Sequence, residues 1–463
     1  MNFRYCRVLV SFLLLLSVVR SPAVADDALR RKLGQMIIVG FIGSSITDTL
    51  LADLSTRNLG GVIVSYANGN LISPLQIQQF MMQIKNAAET PPFIATDEEG
   101  GEVARLNASD GFASTYTAYT LGTTFNSIDS TRKEAALMAS WMQYCAMNVN
   151  FAPVVDVNVN PSSPAIGYYG RSFSADPMTV AAHAQAFIDQ FHAAGLITTL
   201  KHFPGHGSAT EDSHYNLPDI TDTWSSNELI PYRQLLGTNS VDIVMVGHLF
   251  NAHIDSVYPA SLSYATVQGL LRDSLGFGGV AVTDDLYNMG AITDHYSDWD
   301  AAEHAINAGV DILLYVNNTL NNQSLVRQMI DTLESKVEQG RISMARIDEA
   351  YNRISNLKNR YSVTKVSEPF AQGRVVPTDL RVANYPNPFN PVTTIEYQIP
   401  SSGPVEVALY TALGQRIRTL FNGDQAAGVY RLTLDGSGLS SGVYYVRLRS
   451  QGRASTRPVV LLK

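Results

Sequence analysis

The side chains able to do chemistry in this 463-residue chain gather in a few short segments. Asp97-Glu98-Glu99-Gly100-Gly101 is followed closely by Arg105. Asp156 precedes a loop that holds Gly167 and Arg171. Lys201-His202-Phe203-Pro204-Gly205-His206-Gly207 leads into Asp212-Ser213-His214. His248 comes next, and then the adjacent carboxylates Asp284 and Asp285. A carboxylate held in place serves as a nucleophile, and an imidazole, which ordinarily titrates at about pH 6.5, both gives and takes a proton. Lysine and arginine add donors for a polar substrate, or counter-charges for the acids. The set points to nucleophilic and acid–base chemistry.

Each segment follows a short apolar run. The runs Gln35–Val39, Gly61–Ser65, Phe93–Thr96, Val149–Val155, Thr198–Lys201, Asp242–Val246, Gly279–Thr283 and Asp311–Tyr315 read as strands. They are continuous rather than alternating, as in strands buried on both faces. Helical stretches lie between them, among them Pro74–Ala88, Pro177–Ala194 and Ala301–Ala308, and Met344–Asn359 reads as a closing helix. Eight such strand–helix units predict an α/β fold, a TIM (β/α)8 barrel, over residues 27–361; a doubly wound open sheet is the alternative. The reactive segments then sit where strands three to seven end, at the carboxyl face where barrels build their sites. Neighbouring residues on a strand point to opposite sides, so only one of Asp284 and Asp285 faces the axis. Lys201, at a buried strand end, needs an acidic partner, and Asp97 and Asp156 are the candidates. Gly205, His206 and Gly207 are expected to shape their loop.

Composition narrows the class. With 45% hydrophobic residues, 16% charged residues and a net charge of -8, the chain is globular and carries no basic footprint for nucleic acid. Residues 1–25 read as a signal peptide: Arg4 and Arg7, an apolar run from Val8 to Val19, then Ala23-Val24-Ala25. That run is too short for a stable membrane span, so export to the surface or medium is expected. Removal of the leader takes Cys6 and leaves Cys145 alone, expected in a helical segment Ser140–Asn148 and in the core. Residues 362–378 read as a linker. From 379 to 463 the pattern is all-β, with runs Thr393–Gln398, Val405–Tyr410, Gln415–Leu420, Gly428–Leu434, Gly442–Leu448 and Val459–Leu462, which predicts a small immunoglobulin-like sandwich.

The segments D-E-E-G-G-E-V-A-R-L from Asp97, K-H-F-P-G-H-G with its later D-S-H from Lys201, and V-T-D-D-L-Y-N-M-G-A-I from Val282 resemble glycoside hydrolase family 3. Within it they are similar to the bacterial β-N-acetylglucosaminidases. F-A-P-V-V-D-V-N from Phe151 and G-R-S-F-S-A-D-P from Gly170 fit the same family. One departure is visible: Tyr168-Tyr169-Gly170 lengthens the loop ahead of Arg171. The resemblance implies a retaining exo-enzyme that removes terminal β-linked N-acetylglucosamine from chitin- or peptidoglycan-derived oligosaccharides. It makes Asp284 the nucleophile and His214 the acid/base, with Asp212 as its partner. It gives Asp97, Arg105, Arg171, Lys201 and His202 the sugar hydroxyls. The chemistry agrees, because a carboxylate beneath the ring traps the anomeric carbon of an oxocarbenium-like transition state. Most retaining glycosidases protonate the leaving oxygen with a second carboxylic acid; family members with the D-S-H loop give that role to histidine. Two residues apart in an extended loop, Asp212 and His214 would project to one side, and the carboxylate would favour the protonated ring.

Three rival readings stand beside this one. Zinc on His202, His206, His214 and His248 would make a metal-dependent barrel hydrolase, but strand one lacks a His-x-His pair and Lys201 opposes a cation; no metal or cofactor is expected. A non-catalytic sugar-binding barrel would not need both Asp284 and His214. A phosphorylase, with phosphate rather than water attacking the glycosyl-enzyme, stays open. The C-terminal stretch, with Tyr385-Pro386-Asn387-Pro388-Phe389-Asn390-Pro391, L-Y-T-A-L-G-Q and S-S-G-V-Y-Y-V-R-L, resembles a secretion-sorting module of type IX cargo, which implies the secretion machinery as a partner. A carbohydrate-binding sandwich is the alternative, with Tyr444 and Tyr445 its few aromatic candidates.

Overall fold

The computed structural model describes residues 22–363, 380–385 and 387–462. They fall into two compact units, one before 364 and one from 380 onward. The expected leader lies largely outside the described residues, and its last positions begin a helix, Pro22–Gln35. The expected linker lies outside them from 364 on.

In the first unit eight parallel strands close into a barrel in sequence order. They are β1 (Ile37–Val39), β2 (Gly61–Ile63), β3 (Phe93–Thr96), β4 (Val149–Asn150), β5 (Ile197–Phe203), β6 (Ile243–Val246), β7 (Val280–Asp285) and β8 (Ile312–Tyr315). Of all these strand residues only Asp284 is not buried. Helices run between the strands. Two begin as the residue types dictate: Ser73 and Asp176 accept hydrogen bonds from the first free backbone N–H groups, and Pro74 and Pro177 follow in the first helical turn.

Of the boundaries that differ from expectation, three change where a singled-out residue lies. β4 is cut short after Asn150 because Pro153, in a cis peptide with Ala152, has no N–H to give to a ladder. Beyond it the pairing continues as single backbone bonds, Phe151 N–H to the Thr96 carbonyl and Thr199 N–H to the Ala152 carbonyl, and as a bridge from Val154 to Lys201. β5 runs to Phe203, so Lys201 and His202 lie on the strand itself. The helix Ile128–Tyr144 stops before Cys145, and Ala146 turns the chain at φ +59°. Cys145 is buried, and that burial pushes its thiol well above the usual range.

The strands of the second unit pair antiparallel, and an isolated bridge from Phe389 to Leu461 is parallel. One sheet is β9 (Arg381–Tyr385), β10 (Val392–Ile399) and β13 (Gly428–Asp435). The other is β12 (Arg416–Gln425), β11 (Gly403–Thr411), β14 (Gly442–Ser450) and β15 (Arg453–Leu461). Val382, Ile395 and Leu434 of the first share one core with Val407, Leu448 and Val459 of the second, which makes a sandwich. Among the described residues no helix is long and apolar enough to cross a membrane.

The closing helix, Met344–Arg360, carries an unusual side chain under the barrel floor. Lys358 is buried, and its Nζ donates to Gln35 Oε1 at 2.8 Å and the Gly60 carbonyl at 2.9 Å. A neutral amine has two N–H bonds, matching these two acceptors. Burial lowers its pKa from 10.5 to about 7. The unfolded chain therefore binds the extra proton between about pH 7 and 10.5, and stability rises with pH across that window. We expect the stability difference between wild type and Lys358→Met to shift in favour of wild type by a few kcal/mol, an order-of-magnitude figure, from pH 6.5 to pH 10. Denaturant melts of both proteins at the two pH values check this; a pH-independent difference would mean the lysine stays charged.

Candidate active site

Immediately after β3 the chain folds into a hairpin of Glu98–Gly100 against Val103–Ala104. Its turn is tight: Gly101 has φ +63°, and a Cβ there would lie 2.4 Å from Thr117 Cγ2. Alternation sends Asp97 and Glu99 to one side and Glu98 to the other. Glu98 Oε2 accepts from the Leu106 N–H at 2.8 Å, whereas Asp97 and Glu99 meet Lys201. Lys201 Nζ lies 2.7 Å from Asp97 Oδ1 and 2.7 Å from Glu99 Oε1, with its side chain only 3% exposed. Arg171 arrives from the loop after β4 and grips Glu99 with two bonds, Nε to Oε2 at 2.9 Å and Nη2 to Oε1 at 2.8 Å. Burial alone would push the Glu99 carboxyl up; Arg171 and Lys201 outweigh it and hold it far below the usual carboxylate range. Burial likewise opposes charge on Lys201, but Asp97 and Glu99 raise its pKa. Arg105 sits farther out, 3.9 Å from Asp97 Oδ2.

His202 is held from two sides. Asp156 Oδ2 lies 2.7 Å from its Nδ1, and Arg171 Nη2 lies 3.3 Å from its Nε2. A guanidinium only donates, so Nε2 accepts and Nδ1 carries the proton toward Asp156. Asp156 also accepts the backbone N–H groups of His202 and His206. It is thus the partner of the imidazole and not of Lys201, for which it had been a candidate. The β5 loop packs hard on this floor: a Cβ at Gly207 would lie 1.7 Å from the Val157 carbonyl.

The two aspartates of β7 diverge. Asp285 is buried and accepts three backbone N–H groups, from Tyr287 at 2.9 Å, Asn288 at 3.0 Å and Val316 at 3.0 Å. Burial still pushes its pKa up to about 6. Asp284 faces the mouth. Burial disfavours its charge, yet His202, His248 and His214 with the Asp285 N–H lower its pKa to about 2. His248 is itself enclosed: Nε2 meets the Asp285 carbonyl at 3.0 Å and Nδ1 the Ser261 hydroxyl at 2.7 Å. Fully buried and with both ring nitrogens engaged, it braces the end of β7.

Asp212-Ser213-His214 is a tight turn and not the extended loop expected. Asp212 Oδ1 accepts both the His214 N–H at 3.0 Å and Nδ1 at 2.7 Å, and the Asp212 carbonyl accepts from Tyr215 and Asn216. The carboxylate caps the turn and orients the ring in one geometry. Burial raises the Asp212 pKa, but the bonds from His214 lower it overall. With Nδ1 engaged, Nε2 points outward on a side chain that is 61% exposed. His206 Nε2 lies 3.3 Å from Ser213 Oγ, and the Ser213 and His214 carbonyls accept from Ala291 and Gly290, so the turn is tied to the loop after β7.

The structure thus brings Asp97, Arg171, Lys201, His202 and Asp284 to one mouth, with Asp212 and His214 on its rim and Arg105 beyond Asp97. From the residues alone Glu99 has no assigned role, and Asp156 is only a candidate partner of Lys201. Period-two alternation through Asp97-Glu98-Glu99 is the signal that identifies Glu99. His202 and His248 each engage both ring nitrogens with protein. Among the described residues no three His, Cys, Asp or Glu side chains converge as a metal set. The arrangement offers an ionised carboxylate, an exposed imidazole and a wall of fixed donors.

Comparison with known proteins gives two family matches: residues 28–357 to the Glycosyl hydrolase family 3 N terminal domain, and residues 383–462 to the Secretion system C-terminal sorting domain. Beta-hexosaminidase A of Pseudoalteromonas piscicida is 33% identical over 342 residues, covering 68% of this chain and 56% of that one, so the chain spans little more than half of this relative. Beta-hexosaminidase LpqI of Mycobacterium tuberculosis is 32% identical over 337 residues, covering 71% and 82%. A solved glycoside hydrolase family 3 beta-N-acetylglucosaminidase from Paenibacillus sp. str. FPU-7 superposes with a TM-score of 0.69 at 32% identity, covering 76% of this chain and 66% of that one.

The two β7 aspartates should separate in experiment. Asp285→Ala leaves three backbone donors unsatisfied and should cost several kcal/mol of stability, at about 1–3 kcal/mol for each donor that water does not reach. Asp284→Ala should leave the melting temperature nearly unchanged while abolishing turnover. Thermal melts paired with hydrolysis of an aryl β-N-acetylglucosaminide read both; loss of turnover with Asp285 changed and not Asp284 would reverse the assignment.

Proposed function

Because this chain belongs to glycosyl hydrolase family 3, we propose that its barrel is a retaining β-N-acetylglucosaminidase acting on the non-reducing end of β-linked oligosaccharides. The single observation that carries the reading is the pairing of an ionised strand-end carboxylate, Asp284, with a carboxylate-anchored imidazole, His214. The names of the curated relatives, both beta-hexosaminidases, support the substrate class.

The steps follow from the groups. The sugar ring lies over Asp284, and its hydroxyls meet Asp97, Arg171, Lys201 and His202. Asp284 attacks the anomeric carbon as the bond to the leaving oxygen breaks, and protonated His214 gives its Nε2 proton to that oxygen. The product is a glycosyl ester of Asp284 and a free alcohol. Water then attacks the same carbon, gives its proton to the now neutral Nε2, and releases Asp284 as carboxylate. Asp212 fixes Nδ1 throughout, so that the acid and the base are one nitrogen in one position. The C-terminal unit supports export of the enzyme, as a sorting domain would require.

A sugar alcohol leaves poorly without a proton, whereas an activated nitrophenolate leaves largely unaided. His214→Ala should therefore lower kcat/KM, which reports the step that expels the leaving group, by about 10²–10⁴-fold for a disaccharide and far less for the nitrophenyl glycoside. Steady-state rates on both substrates, run with and without phosphate, test this. Equal losses in kcat/KM on the two would remove His214 from protonation of the leaving group, and a rate that needs phosphate, with a sugar phosphate as product, would make the enzyme a phosphorylase.

A further inference from the structure

The loop that departs from the family pattern has no part in the chemistry above. Tyr168 and Tyr169 lie on it, directly before Gly170 and Arg171, the residue that grips Glu99. Tyr168 is 75% exposed, and its ring meets that of Tyr169 edge to face, 5.0 Å between centroids. A single exposed aromatic is ordinary, but these two have neighbours. On the loop after β3, Tyr116, Tyr119 and Phe125 are also exposed, and Tyr116 packs on Phe125 at 5.0 Å. The two loops are stapled: the Tyr119 N–H donates to the Gly170 carbonyl at 3.0 Å. The Tyr168 loop is braced within itself, by Tyr168 N–H to the Ser163 carbonyl and Gly170 N–H to the Gly167 carbonyl. The rings are therefore held by ordered backbone beside the mouth.

Charge distinguishes this wall from the site it adjoins. Residues 111–127 and 157–170 contain no Asp, Glu, Lys, Arg or His. Such a surface offers aromatic faces and phenol hydroxyls, the combination that receives a pyranose, whose faces are apolar and whose edge carries hydroxyls. It offers no counter-charge for a carboxylate.

From this we infer that the Tyr168–Tyr169 loop and Tyr119 form a binding platform for the sugar units beyond the cleaved bond, and that the preferred substrate is a neutral oligosaccharide of several N-acetylglucosamine units rather than a peptide-bearing, anionic glycan. The inference rests on the glycosidase reading above, and the test keeps the two apart. Wild type and the double variant Tyr168→Ala/Tyr169→Ala are compared on an aryl β-N-acetylglucosaminide, on neutral β-linked di- and trisaccharides, and on a peptide-bearing disaccharide. The wild-type kcat/KM should rise from disaccharide to trisaccharide, and the double variant should lower the ratio of trisaccharide to aryl-glycoside kcat/KM about tenfold, the scale of an interface hot spot. Tyr168→Phe/Tyr169→Phe should keep most of that ratio, since the faces remain. An unchanged ratio in the alanine variant, or preference for the peptide-bearing sugar over the neutral one of equal length, would overturn the platform. Failure of wild type to hydrolyse even the aryl glycoside would sink the glycosidase reading instead. Calorimetric binding of the trisaccharide to Asp284→Asn, with and without the two alanines, then still reads the platform: about tenfold weaker binding supports it, and equal binding removes it.

Discussion

The arrangement of the mouth depends on a buried cluster of two cations and two carboxylates. Lys201 sits between Asp97 and Glu99, and Arg171 closes on Glu99 from the far side. None of these side chains belongs to the same strand–loop unit as all its partners: the acids follow β3, the guanidinium lies beyond β4, and the amine stands on β5. Taking such charges out of water is costly, and losing one partner strands the others. The cluster therefore fixes three units of the barrel relative to one another. His202, Asp156 and Arg171 extend it by one more layer, and the orientation of the imidazole follows from donors and acceptors that are already committed.

The proposed catalytic pair divides between two kinds of support. Asp284 stands at the end of a strand whose neighbour, Asp285, is anchored by three backbone donors and which His248 braces. His214 belongs to a turn on the rim, exposed, and held by its own carboxylate and two backbone bonds to the loop after β7. A nucleophile must not move relative to the ring it attacks, whereas the acid must admit a leaving group that departs past it. Burial suits the first and exposure the second.

Much of this was legible from residues alone. Eight buried apolar runs, five of them ending in chemistry, specify the barrel, because a strand covered on both faces has no room for polar alternation. The opposed directions of Asp284 and Asp285 follow from strand geometry. What escaped was set by contacts between distant segments. Glu99 is indistinguishable from Glu98 until the hairpin turns it toward Lys201. Asp156 looked as good a partner for Lys201 as Asp97, and only the end of β4 at Pro153 aims it at His202. The turn at Asp212 was hidden because a carboxylate bonding to the N–H two residues on leaves no trace in periodicity. In the sandwich, β9 was missed, and β15 was recognised only at its last residues, since an edge strand that exposes Arg453, Thr456, Arg457 and Pro458 has the composition of a loop. Those same residues discourage a further strand from pairing there.

Cys145 lies beneath the end of its helix, where its thiol stays protonated and out of reach of solvent. The barrel around it is held by apolar packing and ion pairs, with no cross-link in either described unit. The fold of the two described units accordingly depends on no thiol–disulfide couple. Once folded, the described residues present no thiolate to an oxidant, and their structure is the same under reducing and oxidising conditions.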